Sequence, residues 1–267
     1  MMMFKHKKTI ILLMLYAANS CSAQVSKCCL LKQGWQFGSH GLYVQVSSPA
    51  FRRYQQDSLD FNLPWSWGFA LDASYQDGAA DKLSLNWYHF RHQFDASLAN
   101  IDGIDTSVSK RIGWDQVNVD ISSSIQLGVA SALRLHGGAN YSRLAFQQQL
   151  PIDANYQGLG LRTGLMLTHD FQNHFSVYAD VAMSLLAGSN STSQSTDGST
   201  ISTHQMRIVP ELDGHVGTTY DFYLSQGILS ADISWLWINY MNAFAHESYN
   251  FGLQGLYFGL KWTGDME

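Results

Sequence analysis

The stretch QVNVDISSSIQL, residues 116–127, decides the fold. Val117, Val119, Ile121, Ile125 and Leu127 fall on one face of an extended chain, while Gln116, Asn118, Asp120, Ser122, Ser124 and Gln126 fall on the other. A helix would scatter those apolar residues around its axis, whereas a strand separates them with period two. The same dyad recurs at Leu159, Leu161, Leu165 and Leu167 against Gly160, Arg162, Thr168 and Asp170. It returns at Phe175, Val177, Val181, Met183 and Leu185 against Ser176, Asp180 and Ser184. Towards the C-terminus, Leu229, Ile233, Trp235 and Trp237 oppose Ser230, Asp232 and Ser234, and Leu256, Phe258, Leu260 and Trp262 oppose Tyr257, Gly259 and Lys261.

Extended outward, this periodicity predicts ten strands, near 35–47, 64–75, 82–94, 114–127, 132–147, 157–170, 174–187, 204–222, 227–242 and 251–263, with eight or twelve as alternatives. Each is long enough to cross a bilayer as a tilted strand, for which about 9–11 residues suffice. Short gaps alternate with longer ones at 48–63, 95–113, 148–155, 188–203 and 243–250, the pattern of short periplasmic turns and long outer loops. The Ser- and Thr-rich run 189–202 reads as an external loop.

The N-terminus fixes the compartment. Lys5-His6-Lys7-Lys8, an apolar run from Thr9 to Ala18 and the small residues ending at Cys21-Ser22-Ala23 read as a cleaved signal peptide over 1–23. Ala18-Asn19-Ser20 is a poor lead-in for acylation at Cys21. Residues 24–34 then form a periplasmic segment, 35–263 the barrel and 264–267 a tail. Cys28 and Cys29 are adjacent and bridge each other only with strain, so they read either as an intermolecular disulfide pair or as unpaired tail thiols.

Removing Lys5, Lys7 and Lys8 leaves 13 of the 16 basic residues against 21 acidic ones, a formal charge of −8, which argues against a nucleic-acid partner. Charged residues make up only 14% of the chain and aromatic ones 13%. Ordinary soluble domains carry about 25% charged residues.

In hydrocarbon every backbone polar group must be paired within the protein, so a spanning chain of strands has to close. The expected architecture is an all-β, transmembrane, antiparallel up-and-down β-barrel with its apolar faces on lipid. The other faces then line the lumen. That places Asp72, Asp120, Asp170, Asp180, Glu211, Asp213, Asp221 and Asp232 inside with Arg134, Arg162, Arg207, Lys261, His136 and His215. The acidic excess suggests a weakly cation-preferring interior. Trp65, Trp67, Trp87, Trp235, Trp237 and Trp262 are assigned to interfacial girdles.

Several segments resemble the major outer membrane protein family first described in Legionella. They are Gly41-Leu42-Tyr43, Trp67-Gly68-Phe69, Asn86-Trp87-Tyr88-His89-Phe90, Leu133 to Tyr141, Gly158-Leu159-Gly160-Leu161-Arg162 and Ser184-Leu185-Leu186-Ala187-Gly188. Val209-Pro210-Glu211-Leu212-Asp213 and Gly252 to Leu260 continue the series in the same order, and Cys28-Cys29 look like the family's cysteine-rich N-terminal edge. The resemblance implies pore formation in the outer membrane, with host-surface contact as a further expectation. Gly264-Asp265-Met266-Glu267 departs from the pattern, because barrels of this kind often end in an aromatic residue.

Catalytic and ligand motifs are weak. Asp213-Gly214-His215 has the Asp-x-His spacing used by omptin proteases, a ten-stranded family, but no Asp-x-Asp partner sits on an opposing strand end. His89 and His92 lie on opposite strand faces and cannot share a metal. Gly158, Gly160 and Gly164 lie in a strand with no helix after them, which makes them room-giving residues and not a phosphate loop. The reading is therefore a non-enzymatic barrel without cofactor that passes small hydrophilic solutes. Its alternative is a plugged structural or adhesive barrel working through its outer loops. Expected partners are outer-membrane lipid and lipopolysaccharide, the barrel-assembly machinery, and further copies of the chain or a host surface.

Overall fold

A computed structural model describes residues 34–47, 64–77, 81–101, 104–148, 152–171, 174–196, 199–244 and 249–264. Residues 1–33, which hold the expected signal peptide and nearly all of the expected periplasmic segment with Cys28 and Cys29, and residues 265–267 of the tail lie outside the described residues.

Every described element is a strand. They are β1 (Gly34–Ser47), β2 (Ser66–Asp77), β3 (Asp81–Ile101), β4 (Ile104–Gln126), β5 (Ser131–Gln148), β6 (Ile152–Asp170), β7 (Phe175–Thr196), β8 (Ser199–Leu224), β9 (Gly227–Phe244) and β10 (Tyr249–Gly264). Each pairs antiparallel with its sequence neighbour, and β1 pairs with β10 from Gln36↔Thr263 to Ser47↔Gly252, which closes the barrel. Closure gives each spanning strand a hydrogen-bonding neighbour on both sides, as hydrocarbon demands.

The largest difference from the sequence reading lies at the long-connection end. Among the described residues, segments 95–113 and 188–203 continue as paired strands. The β3–β4 pairing continues to Ile101↔Ile104 and the β7–β8 pairing to Thr196↔Ser199. These strands run 21, 23, 22 and 26 residues, more than a bilayer requires. In 188–203 Ser and Thr alternate freely once both faces meet water, so that composition mimics a loop there. Pairing of β8 with β9 begins at Glu211↔Tyr240, immediately after Pro210. A proline has no N–H to offer a ladder, so it suits the point at which β8 leaves one neighbour.

Outward-facing residues form an apolar belt, typified by Leu161, which is 80% exposed. Aromatic groups mark both rims. Tyr43 lies against Trp65 and Trp67 at 5.4 and 4.9 Å on the long-hairpin side, and Trp35 lies against Tyr75 at 5.1 Å on the short-turn side. Amphipathic rings settle at headgroup level, so the two groups bracket the hydrocarbon.

The belt predicts a depth-dependent tolerance. A Lys at Leu161 should cost about 2–4 kcal/mol of stability in lipid vesicles, and one at Gln157, beyond the belt, about 0–1 kcal/mol. Urea titration of folded protein in vesicles measures both.

Candidate functional site

Alternation sends one side chain in two inward along each strand, so the sequence of a strand sets what meets across the lumen. All the residues assigned above to the interior occupy inward-facing positions of their strands. They do not line an empty channel. Many of them are engaged by neighbouring side chains, at several heights.

The tier nearer the short turns is polar. His40 Nε2 meets Asp72 Oδ1 at 2.5 Å, and His136 Nε2 meets Asp180 Oδ1 at 3.0 Å. Lys82, an inward cation that the sequence reading left out, donates to Gln36 Oε1 at 2.7 Å. Arg134 donates to Ser124 Oγ at 3.1 Å, Tyr178 to Asp232 at 2.8 Å and Ser230 to Asp221 at 2.6 Å. Glycine makes room here: a Cβ on Gly164 would meet the His136 ring at 2.4 Å.

At mid-height Arg162 on β6 grips Asp213 on β8 through two 2.7 Å bonds, and its Nε lies 3.4 Å from Asp120 on β4. Both side chains are almost completely buried. Such a two-pronged guanidinium–carboxylate pair is among the stronger charge-assisted contacts. It occupies both Asp213 oxygens, while the neighbouring His215 ring packs edge-on to Tyr257 at 5.3 Å. Among the described residues no set of three or more His, Cys, Asp or Glu converges as a metal site.

Above this, towards the long hairpins, the interior closes. Trp114 on β4 donates from Nε1 to Tyr240 Oη on β9 at 2.9 Å. Around the ring, β4 reaches β9 through β5, β6, β7 and β8 one way and through β3, β2, β1 and β10 the other, so the bond spans the full diameter. Tyr240 Oη donates onward to Gln116 Oε1 at 2.8 Å, and Gln116 donates to Glu211 Oε1 at 2.9 Å. Asn140 bonds the second Glu211 oxygen, and Ser142 lies 3.1 Å from Tyr240 Oη. Around this knot Leu42, Val44, Ile112, Leu144, Tyr156, Leu186, Val209 and Leu236 are at 0% exposure.

The alternation predicts a polar inner face as the conduction path; in the upper half that face also carries a layer of buried apolar side chains around the polar knot. The prediction fell short because β9 carries apolar residues on both faces there: Trp235 and Trp237 point out while Leu236, Ile238 and Tyr240 point in. The signal was the loss of alternation at 235–240, which marks a strand buried on both sides. Trp114 shares the parity of Gln116 and Asn118 and was legible as inward.

A closed, all-antiparallel barrel with an outward apolar belt and aromatic rims is an outer-membrane β-barrel. A family profile described as "Legionella pneumophila major outer membrane protein precursor" matches residues 28–264, and the chain belongs to that family. No curated protein matches the sequence. Among solved structures, the outer membrane protease OmpT from Escherichia coli is similar at 9% identity, with 89% of this chain and 100% of that chain covered and a TM-score of 0.62. The likeness is one of fold. Looser similarities include the toluene transporter TodX of Pseudomonas putida, at 8% identity, 91% and 92% coverage and TM-score 0.40. Another is the attachment invasion locus protein Ail of Yersinia pestis, at 10% identity, 86% and 99% coverage and TM-score 0.35.

Removing one partner from the central ion pair leaves a buried charge without compensation. Arg162→Leu should lower stability by about 3–5 kcal/mol, and adding Asp213→Leu should recover part of that loss. Denaturant unfolding of the refolded barrels gives the comparison, with a double mutant no better than the single one contradicting the pairing.

Proposed function

We propose that this chain is a surface-presenting outer-membrane barrel, structural or adhesive, whose lumen is shut at rest and whose contacts are made by the β3–β4 and β7–β8 hairpins. The single observation that carries this reading is the Trp114–Tyr240 hydrogen bond across the diameter, set within a layer of fully buried apolar side chains. A ten-stranded barrel is narrow enough for side chains from opposite walls to touch. Once they do, water and ions have no column to follow. The hairpins outrun the bilayer and offer polar surfaces to a partner such as a further copy or a host surface.

Passive passage of small hydrophilic solutes is the second reading, and the charged lower tier around Asp72, Lys82 and Lys261 favours it. That tier would serve as a vestibule, and flow would require Trp114 and Tyr240 to part.

Planar-bilayer recording of the refolded protein separates the two. The wild type should be electrically silent, and Trp114→Ala with Tyr240→Ala, folded as judged by heat-modifiable migration, should give discrete steps. Steady conductance by the wild type would overturn the closed reading in favour of the pore.

A further inference from the structure

Basic side chains on the barrel wall are distributed very unevenly. Among the described residues Lys82, Arg134, Arg162, Arg207 and Lys261 occupy inward positions, whereas Arg91, Arg111 and Arg143 occupy outward ones and are exposed. All three outward arginines stand on adjacent strands, β3, β4 and β5. The ladder sets Arg91 opposite Gly113, Gln93 opposite Arg111, and Asp115 opposite Arg143. Gly113 in turn faces Ala145. A Cβ on Gly113 would meet only Ala145 at 3.6 Å and the Arg91 stem at 3.9 Å, so the floor between the arginines is shallow and open.

Of the acids on this face, Asp115 is already engaged, its Oδ1 meeting His89 Nδ1 at 2.5 Å, and Asp95 stands opposite Ser109, the next same-face pair beyond Gln93 and Arg111. Arg111 donates to Gln93 Oε1 over a long 3.3 Å. Directly towards the membrane the same face turns apolar, with Trp87, Tyr141 and Leu159 exposed. The arginines thus stand on the first polar rows above the belt, where a charge on the lipid face costs little and anionic headgroups lie within reach. Guanidinium groups match phosphate oxygens two at a time.

We propose that Arg91, Arg111 and Arg143 form a binding site for the phosphate groups of an outer-leaflet glycolipid of the lipopolysaccharide type, whose acyl chains run down over Trp87, Tyr141 and Leu159. A free phosphate would use the arginines but not the apolar rows beneath them. The inference rests on the reading that the long hairpins face outward, and is independent of whether the lumen is open.

The test is titration of the refolded protein, in zwitterionic micelles at low salt, with phosphorylated lipid A and with the same lipid A dephosphorylated. The wild type should prefer the phosphorylated form. Each Arg→Gln change should weaken that preference about fivefold, and R91Q/R111Q/R143Q together should remove on the order of a hundredfold. Heat-modifiable migration certifies folding. If the triple variant does not fold, R91Q and R143Q singly carry the same expectation. An inward control, R134Q, should leave binding unchanged. An unaltered preference in the folded variants, or displacement of the lipid by an equal concentration of inorganic pyrophosphate, would overturn the proposal. Bilayer conductance is a separate readout, so silence or steps there leave this result intact.

Discussion

Lipid cannot hydrogen-bond a peptide group, and from that constraint the rest of the molecule follows. Strands in hydrocarbon must pair on both edges, so the sheet closes through β1 and β10. Closure with ten strands fixes a small circumference, and alternation then drives half of all side chains into a space that cannot keep them apart. A crowded interior is the consequence of the ring itself.

How that interior is filled differs with height. In the lower tier and at mid-height, carboxylates are engaged pair by pair, Asp72 with His40, Asp180 with His136 and Asp213 with Arg162, each by a partner on another strand. Higher up, large apolar side chains replace the charges, and a few polar atoms form a closed chain from Trp114 through Tyr240 and Gln116 to Glu211. Polar networks inside an apolar shell are stable when every member is satisfied, and they hold a single arrangement. The outer face obeys the opposite rule, with aliphatic residues at mid-belt and aromatic rings at the rims.

Much of this was legible beforehand. The strand at 116–127 announces two chemically different faces, and the strand count, the closure and the inward positions of Asp213, Glu211 and Arg162 follow from repeating that dyad. Two things were not. At 188–203 almost every residue is polar, and without a hydrophobic face the period-two signal vanishes although the strands stay paired; at 95–113 Ile104, Val108 and Ile112 do share a face, but Lys110 interrupts the row. The closure of the upper lumen depends on which residues meet across five strand steps, Trp114 with Tyr240 above all, and no local pattern encodes that meeting. Lys82 was legible, since it shares the parity of Ser84 and Asn86 against Leu83, Leu85 and Trp87, although the set of inward charges read from the sequence omits it.

Thiol accessibility in intact outer membranes probes the shut lumen most directly. With Cys28 and Cys29 replaced by serine, single cysteines at the buried inward positions Leu42, Leu186 and Leu236 are exposed to a membrane-impermeant maleimide from outside, with the exposed His204 position as the reference. A lumen closed by side chains leaves the inward positions unlabelled while His204→Cys reacts fully. Labelling of Leu42→Cys or Leu236→Cys at the rate of His204→Cys would mean that water fills the upper barrel and that its two walls do not meet.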